Sequence, residues 1–150
     1  MKVVLQRVSE ASLKVDNCKY SEIGFGLFVL VGFTSDDTSE DLQWMSQKIL
    51  NIRLFNDEQG VMNRSVIEIK GELLVVSQFT LMARTKKGNR PSYMDAAPPE
   101  IAIPLYEQFL TVMTNQFGKE IKTGQFGADM AISSTNVGPI TIVIDSKLKV

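Results

Sequence analysis

The sequence contains no histidine among its 150 residues. Histidine is the side chain that most often serves as base, acid or metal ligand near neutral pH. Its absence excludes Ser-His-Asp and Cys-His catalysis, both within one chain and across a homodimer. Any enzymatic activity must therefore depend on main-chain groups, on other side chains or on the substrate itself.

Cysteine and surplus charge are also scarce. Cys18 is the only cysteine, which excludes an internal disulfide and a cysteine-rich zinc site. A count of 16 basic and 17 acidic residues gives a net charge of -1, so contact with nucleic acid requires a local basic patch. We expect neither a metal nor a cofactor.

Long apolar segments are missing as well. No stretch approaches the roughly 20 apolar residues that cross a bilayer. The first residues have no long apolar core and no cleavage site, unlike a signal peptide. We therefore expect a cytoplasmic protein with no membrane contact.

The hydrophobic pattern predicts one α+β domain over residues 1–150. We expect strands over residues 3–15, 27–31, 72–79 and 140–145, a return to strand from residue 121, and a hairpin over 53–62. One helix is expected over residues 38–51, where N-cap residues precede apolar positions at helical spacing. A second should begin near Pro99 and end at Gly118. This order favours a curled, mostly antiparallel sheet or open β-barrel with two main helices.

Small polar residues follow the apolar strand near residue 76. Ser77, Gln78, Phe79 and Thr80 stand where this rigid strand passes into a loop. Main-chain N–H groups left unpaired at such a point are suited to bind an oxyanion. The pattern alone is equally typical of a strand end with a threonine cap.

A basic loop follows at residues 84–92. Its cations are Arg84, Lys86, Lys87 and Arg90. In a nearly neutral protein this is a local footprint for phosphate, although charge runs are often solvated loops. Tyr93, directly after the loop, is of a type that either stacks on a base or packs against the fold.

Gly138 and Pro139 precede the last predicted strand. By pattern alone this pair is typical of a simple turn, since only about 5–6% of X-Pro bonds in folded proteins are cis.

Several segments together resemble the D-aminoacyl-tRNA deacylases. The resemblance runs along almost the whole chain, in family order and at family spacing. It is carried by residues 6–8 (QRV), 71–76 (GELLVV), 77–81 (SQFTL), 90–93 (RPSY), 123–130 (TGQFGADM) and 136–141 (NVGPIT). The resemblance implies hydrolysis of D-aminoacyl-tRNA to a free D-amino acid and tRNA, and also of glycine mischarged onto alanine tRNA.

The resemblance also implies residue roles. Family members are homodimers in which a cis Gly-Pro peptide, here Gly138–Pro139, reaches into the partner's pocket. Its carbonyl oxygens accept hydrogen bonds from the substrate ammonium and occupy the space that an L side chain would need, so selection works by exclusion. Arg7 braces this loop. Ser77, Gln78, Phe79 and Thr80 form the catalytic segment, and Phe126 and Met130 line the pocket. The basic loop lies near the acceptor end of the tRNA, and the substrate's 2′-hydroxyl assists attack by water.

The sequence departs from the family pattern at a few positions. Val137 stands where the family often has an acidic residue, and Gln125 replaces a common arginine. Ser134 and Thr135 replace a more apolar pair. These changes affect loop details and tRNA preference. They leave residues 77–81, Gly138 and Pro139 as in the family.

Two alternatives remain open at this stage. One is a hydrolase of small esters that uses Thr80 as nucleophile, which requires a neighbouring base. The other is a non-catalytic RNA-binding module built on the basic loop.

Overall fold

The computed structural model describes residues 1–149 and contains eight strands and two α-helices in that range. The strands are β1 (Lys2–Val15), β2 (Cys18–Ile23), β3 (Gly26–Gly32), β4 (Phe55–Asn56), β5 (Met62–Arg64), β6 (Glu72–Ser77), β7 (Lys122–Thr123) and β8 (Met130–Asp145). The helices are α1 (Ser39–Asn51) and α2 (Pro99–Phe117), and a single 3-10 turn covers Phe79–Met82.

Six of the strands form one curled, mixed sheet in the order β2-β1-β3-β6-β7, with β8 also paired to β1. The pairs of β1 with β2, β3 and β8 are antiparallel. β3 pairs with β6, and β6 with β7, in parallel, because α1 and α2 respectively provide the long crossovers that parallel pairs require. The predicted α+β fold is confirmed.

The longest strands give the sheet its curl. The first half of β1 pairs with β3 and the end of β8, whereas its second half pairs with β2 and the start of β8. β4 and β5 form a separate small hairpin, as predicted.

Apolar residues pack on both faces of the sheet. One cluster joins the sheet to the helices and includes Leu42 and Phe109, both fully buried. A second cluster lies inside the curl and includes Leu13, Phe28 and Leu74. Since β3 and β6 are covered on both sides, their sequences are continuous apolar runs rather than alternating ones.

Both helices begin and end where local chemistry predicts. Thr38 and Asp41 form a capping box at the start of α1, with the Thr38 N–H donating to Asp41 Oδ2 at 2.9 Å. Pro99 opens α2, and Gly118 closes it in the left-handed conformation, with φ of 70°.

Several strand predictions were wrong in their limits. β2 was not predicted, because its half-exposed polar sequence has little apolar alternation. The strand expected over 72–79 ends at Ser77, where the chain enters the 3-10 turn. The last strand begins at Met130, ten residues before Ile140, because β1 continues to pair with it there.

Candidate active site

The end of β6 opens onto a cavity of ≈ 300 Å³. We call it the strand-end cavity; its lining includes Ser77, Gln78, Phe79, Phe126 and Met130. All five were predicted as site residues, so the structure brings three residues of the predicted catalytic segment together with the predicted pocket wall. Thr80, the fourth residue of that segment, is not part of the lining. Gln78 N–H donates to the carbonyl of Val31 at 2.7 Å, which fixes the point where the chain leaves the sheet.

A close approach to β3 positions the 3-10 turn. A Cβ placed on Gly32 would lie 2.8 Å from the Gln78 carbonyl oxygen and 3.2 Å from Leu81 Cβ. Only glycine lets the turn pack this tightly against the end of β3. The sequence analysis did not identify Gly32, because a glycine at the end of a strand is an ordinary feature.

Two main-chain donors are free at the cavity. Phe79 and Thr80 are the first two residues of the 3-10 turn, so their N–H groups have no partner within it. Within residues 1–149 neither group donates a hydrogen bond to any other acceptor. A pair of adjacent free N–H groups beside a cavity is suited to stabilise negative charge on an oxygen atom.

The side chains of Gln78 and Thr80 are fixed by a hydrogen bond to each other. Gln78 Nε2 donates to Thr80 Oγ1 at 2.5 Å. Within the described part of the chain this amide is the only side-chain hydrogen-bond partner of Thr80, and Asp129 is the single charged residue of the cavity lining. The Thr80 hydroxyl is therefore not hydrogen-bonded to a general base that could activate it as a nucleophile.

Tyr106 supports the cavity wall from behind. Its hydroxyl donates to the carbonyl of Val75 at 2.8 Å, two residues before the end of β6. Its ring packs against Phe126 with centroids 5.9 Å apart. Burial raises the pKa of Tyr106, so the phenol stays protonated and keeps this hydrogen bond. The sequence marked Tyr106 only as a buried helix position.

The segment around Gly138 and Pro139 is a bulge inside β8. It is not the simple turn that its sequence pattern indicates. Gln6 pairs with Thr141 and Val8 with Asn136, so residues 137–140 stand opposite the single residue Arg7. We call these four residues the 137–140 bulge. It contains a cis peptide bond between Gly138 and Pro139, both exposed.

Two side chains hold the bulge in shape. Asn136 closes its base, since its Oδ1 accepts from the Ile140 N–H at 2.8 Å and its Nδ2 donates to the Ile140 carbonyl at 3.2 Å. Arg7, which is 8% exposed, donates from Nε to the Val137 carbonyl at 3.0 Å and from Nη1 to the Leu54 carbonyl at 2.7 Å. The Val137 contact is made through the main chain, so it does not need an acidic side chain at that position.

The bulge does not line the strand-end cavity of its own chain. Neither Gly138 nor Pro139 contributes to the lining of that cavity.

The basic loop is closed at its base. Arg84 and Ser92 pair through both of their main-chain hydrogen bonds, at 2.8 and 3.0 Å. The Arg84 guanidinium forms a two-point ion pair with Asp95, one contact of which is 2.6 Å. Within residues 1–149, Lys86, Lys87 and Arg90 form no ion pair and are exposed. The loop therefore has three free cations and one that is already engaged.

A larger groove of ≈ 600 Å³ between α1 and β8 is lined by residues such as Trp44, Lys48 and Ile142, and holds none of the predicted site residues. Residues 1–149 include no group of three acidic, cysteine or histidine side chains placed to hold a metal. None of the helices in that range is long and apolar enough to cross a membrane.

Comparison with known proteins assigns the chain to a family. Residues 4–145 match the model of the family described as D-Tyr-tRNA(Tyr) deacylase. The chain belongs to this family. Proteins named D-aminoacyl-tRNA deacylase from Flavobacterium psychrophilum and Parabacteroides distasonis are 56% and 57% identical to it, each over 99% of both chains.

Solved structures agree with this deacylase family at the level of fold. A c-Myc DNA unwinding element binding protein superposes with a TM-score of 0.93 at 43% identity, covering 97% of this chain and 98% of that one. A probable eukaryotic D-amino acid tRNA deacylase gives a TM-score of 0.84 at 21% identity, covering 95% and 97%.

Proposed function

We propose that the protein hydrolyses the ester bond of D-aminoacyl-tRNA in the strand-end cavity and rejects L-aminoacyl-tRNA by means of the partner's 137–140 bulge. Family membership makes the chain a hydrolase of this ester class. The observation that supports the residue assignment is the pair of free N–H groups at Phe79, which lines the cavity, and at Thr80, the next residue in the 3-10 turn.

The proposed chemistry begins with attack of water on the ester carbonyl carbon. The carbonyl oxygen becomes an oxyanion, which accepts hydrogen bonds from the N–H groups of Phe79 and Thr80. Collapse of this intermediate breaks the bond to the ribose 3′-oxygen, which leaves with a proton, and releases the free amino acid. In this proposal the free 2′-hydroxyl of the terminal ribose assists the water. Losing one such oxyanion donor typically slows an enzyme by about 10²–10³-fold.

Chiral selection requires a homodimer in this proposal. The bulge of one protomer enters the cavity of its partner, and the carbonyl oxygens of Gly138 and Pro139 accept hydrogen bonds from the substrate ammonium. The main chain then occupies the volume that an L side chain needs. Glycine has no side chain to exclude, so glycine mischarged onto alanine tRNA is a second substrate. Neither Gly138 nor Pro139 lines the cavity of its own chain, which supports this arrangement.

The basic loop is proposed to contact tRNA phosphates in the cytoplasm, where charged tRNA occurs. Lys86, Lys87 and Arg90 are free for this role. Arg84 has a different part, because its ion pair with Asp95 and its main-chain pairing with Ser92 hold the loop closed. We therefore assign phosphate binding mainly to the three free cations.

The alternatives are less well supported. A small-ester hydrolase with Thr80 as nucleophile lacks a general base hydrogen-bonded to the hydroxyl. A non-catalytic nucleic-acid-binding role leaves the free N–H pair without a purpose, although one structural relative is named for DNA binding.

The decisive experiment compares hydrolysis of one tRNA charged with D- or L-tyrosine. Hydrolysis of the D form with no rate above background for the L form is expected. Equal turnover of both enantiomers would refute the role of the bulge, and no turnover of either would favour a binding module.

A further inference from the structure

We propose that Phe79 and Tyr93 form a stacking platform for the single-stranded nucleotides that precede the terminal nucleoside of the tRNA. This inference rests on the proposed function and adds a binding site outside the reacting centre. The platform consists of the two rings, which pack edge to face with centroids 5.2 Å apart and planes at 73°.

The exposure of these rings is unexplained by folding alone. Phe79 is 56% exposed and Tyr93 is 40% exposed, and the neighbouring Met94 is 88% exposed. Apolar side chains that cluster on a surface and are rimmed by polar groups commonly mark a binding surface. In the edge-to-face arrangement one ring presents its edge to the other, so at least one aromatic face remains open to a ligand.

The position of the platform points to a nucleic acid strand. Phe79 lines the strand-end cavity, and Tyr93 contacts the outer side of the same ring. A strand whose terminal ester lies in the cavity can therefore reach both rings. Tyr93 also follows directly on the basic loop, whose free cations are Lys86, Lys87 and Arg90.

The chemistry of the two parts is complementary. Aromatic rings stack on any base, while lysine and arginine track the phosphates between bases, which is how proteins hold single strands without reading their sequence. The loop holds Tyr93 in place, since the Arg84–Ser92 pairing ends one residue before it and Asp95 binds Arg84 two residues after it. The platform therefore needs no ordering of a mobile chain when tRNA binds.

The test measures the affinity for two uncharged tRNAs, one complete and one lacking its three 3′-terminal nucleotides. Tyr93→Leu should weaken binding of the complete tRNA by about tenfold. Binding of the shortened tRNA should not change. Tyr93→Phe keeps the ring and should bind both tRNAs as the original protein does, and Met94→Ala is the matched surface control.

Salt dependence separates stacking from charge. Tyr93→Leu should lower the affinity equally at all salt concentrations, whereas Lys87→Gln should reduce the slope of log affinity against log salt by about 0.7–0.9. A wild-type affinity of Tyr93→Leu for complete tRNA would overturn the platform. An equal loss for both tRNAs would also overturn it, since the substitution would then act through the shape of the loop.

Hydrolysis distinguishes this inference from the proposed function. D-aminoacyl-adenosine has the reacting ester but none of the preceding nucleotides, so Tyr93→Leu should lower the kcat/KM of D-aminoacyl-tRNA, through KM, by about tenfold more than that of D-aminoacyl-adenosine. Failure of the unaltered protein to hydrolyse either substrate would refute the proposed function alone, because the platform is judged by the two binding measurements.

Discussion

The 77–80 segment and the 137–140 bulge differ in how their main-chain groups are used. The first leaves the N–H groups of Phe79 and Thr80 free beside a cavity. In the second, hydrogen bonds from Arg7 and to and from Asn136 fix the chain, and its tip is exposed. In our proposal, one segment forms hydrogen bonds that appear during the reaction, and the other presents a fixed shape. Catalysis and selection are therefore expected to respond to different substitutions.

The largest effect is expected on removal of the Phe79 N–H. Phe79→Pro deletes this donor at the first position of a helical turn, where proline is well tolerated, and Gln78, at φ of -146° and ψ of 86°, lies outside the α region that a following proline disfavours. Phe79→Ala loses the same ring but keeps the donor. We expect kcat to be about 10²–10³-fold lower for the proline variant than for the alanine variant.

Single-turnover kinetics on D-aminoacyl-tRNA would measure this difference. Equal rates for the two variants, with equal thermal stability, would show that the Phe79 N–H takes no part in the reaction.

The next effect concerns the shape of the bulge. Gly138 has φ of 130°, and a Cβ there would lie 2.8 Å from Ile140 Cγ1 and 3.1 Å from Arg7 Nη2. Gly138→Ala should therefore displace the tip, with strain on the order of 1–3 kcal/mol, and lower the ratio of D to L turnover by roughly tenfold or more. Gly60→Ala is the matched control, because Gly60 also has positive φ but nothing within 4 Å. An unchanged ratio of D to L turnover in Gly138→Ala would show that the bulge takes no part in chiral selection.

Loss of the Arg7 brace should act mainly on stability. Arg7→Met removes hydrogen bonds from a buried cation to the carbonyls of Val137 and Leu54. We expect the free energy of unfolding to fall by about 1.5–3 kcal/mol, the usual range for hydrogen bonds to charged groups. Arg53→Met, at an exposed arginine that bonds Asn63, should cost less than about 0.5 kcal/mol. Urea denaturation would compare the two variants. Equal losses in the free energy of unfolding would contradict the role of Arg7 in holding the bulge.

The smallest effect is expected on the stability of the protein at low pH. It should not involve the 77–80 segment or the 137–140 bulge, since neither contains a carboxyl group. Burial raises the pKa of Asp41, but hydrogen bonds from Lys147, Thr38 and Ser146 outweigh it and hold this pKa well below its usual range. A carboxyl group with a lowered pKa adds stability above its unfolded pKa of about 3.9, and that stability is lost as the pH falls further.

Asp41→Asn should therefore destabilise the protein by on the order of 1–2 kcal/mol at pH 7, and by progressively less below pH 4. Glu107→Gln, on the exposed side of α2, is the control. Thermal unfolding from pH 7 to pH 2 would test this, and an Asp41→Asn penalty that persists at pH 2 would contradict the assignment.

The two segments also differ in how far the sequence revealed them. The buried run of β6 and the polar residues after it predicted a strand end near Ser77, because that pattern is local, and the family resemblance identified the residues after it as the catalytic segment. The bulge could not be predicted from pattern, because its shape depends on the pairing of β8 with β1, far away in sequence. Only the family resemblance identified Gly138 and Pro139 as more than a turn.

Residues that act through packing were the ones that sequence reasoning missed. Gly32 and Tyr106 support the site by a close approach and by one buried hydrogen bond, neither of which has a sequence pattern. Asn136 belongs to the 136–141 segment that resembles the family. Its two hydrogen bonds with Ile140 became clear only from the bulge geometry. Arg84 shows the reverse case, since a residue counted among free cations is engaged by Asp95.

The central claim is that a complete site takes its cavity from one protomer and its bulge from the other. The most direct test is a heterodimer, isolated through two different tags, of one Phe79→Pro protomer and one Gly138→Ala protomer. Such a dimer contains one site built from an unaltered 77–80 segment and an unaltered bulge, so it should hydrolyse D-aminoacyl-tRNA at roughly half the wild-type rate, with wild-type rejection of the L form. A heterodimer no more active or selective than the Gly138→Ala homodimer would contradict the claim.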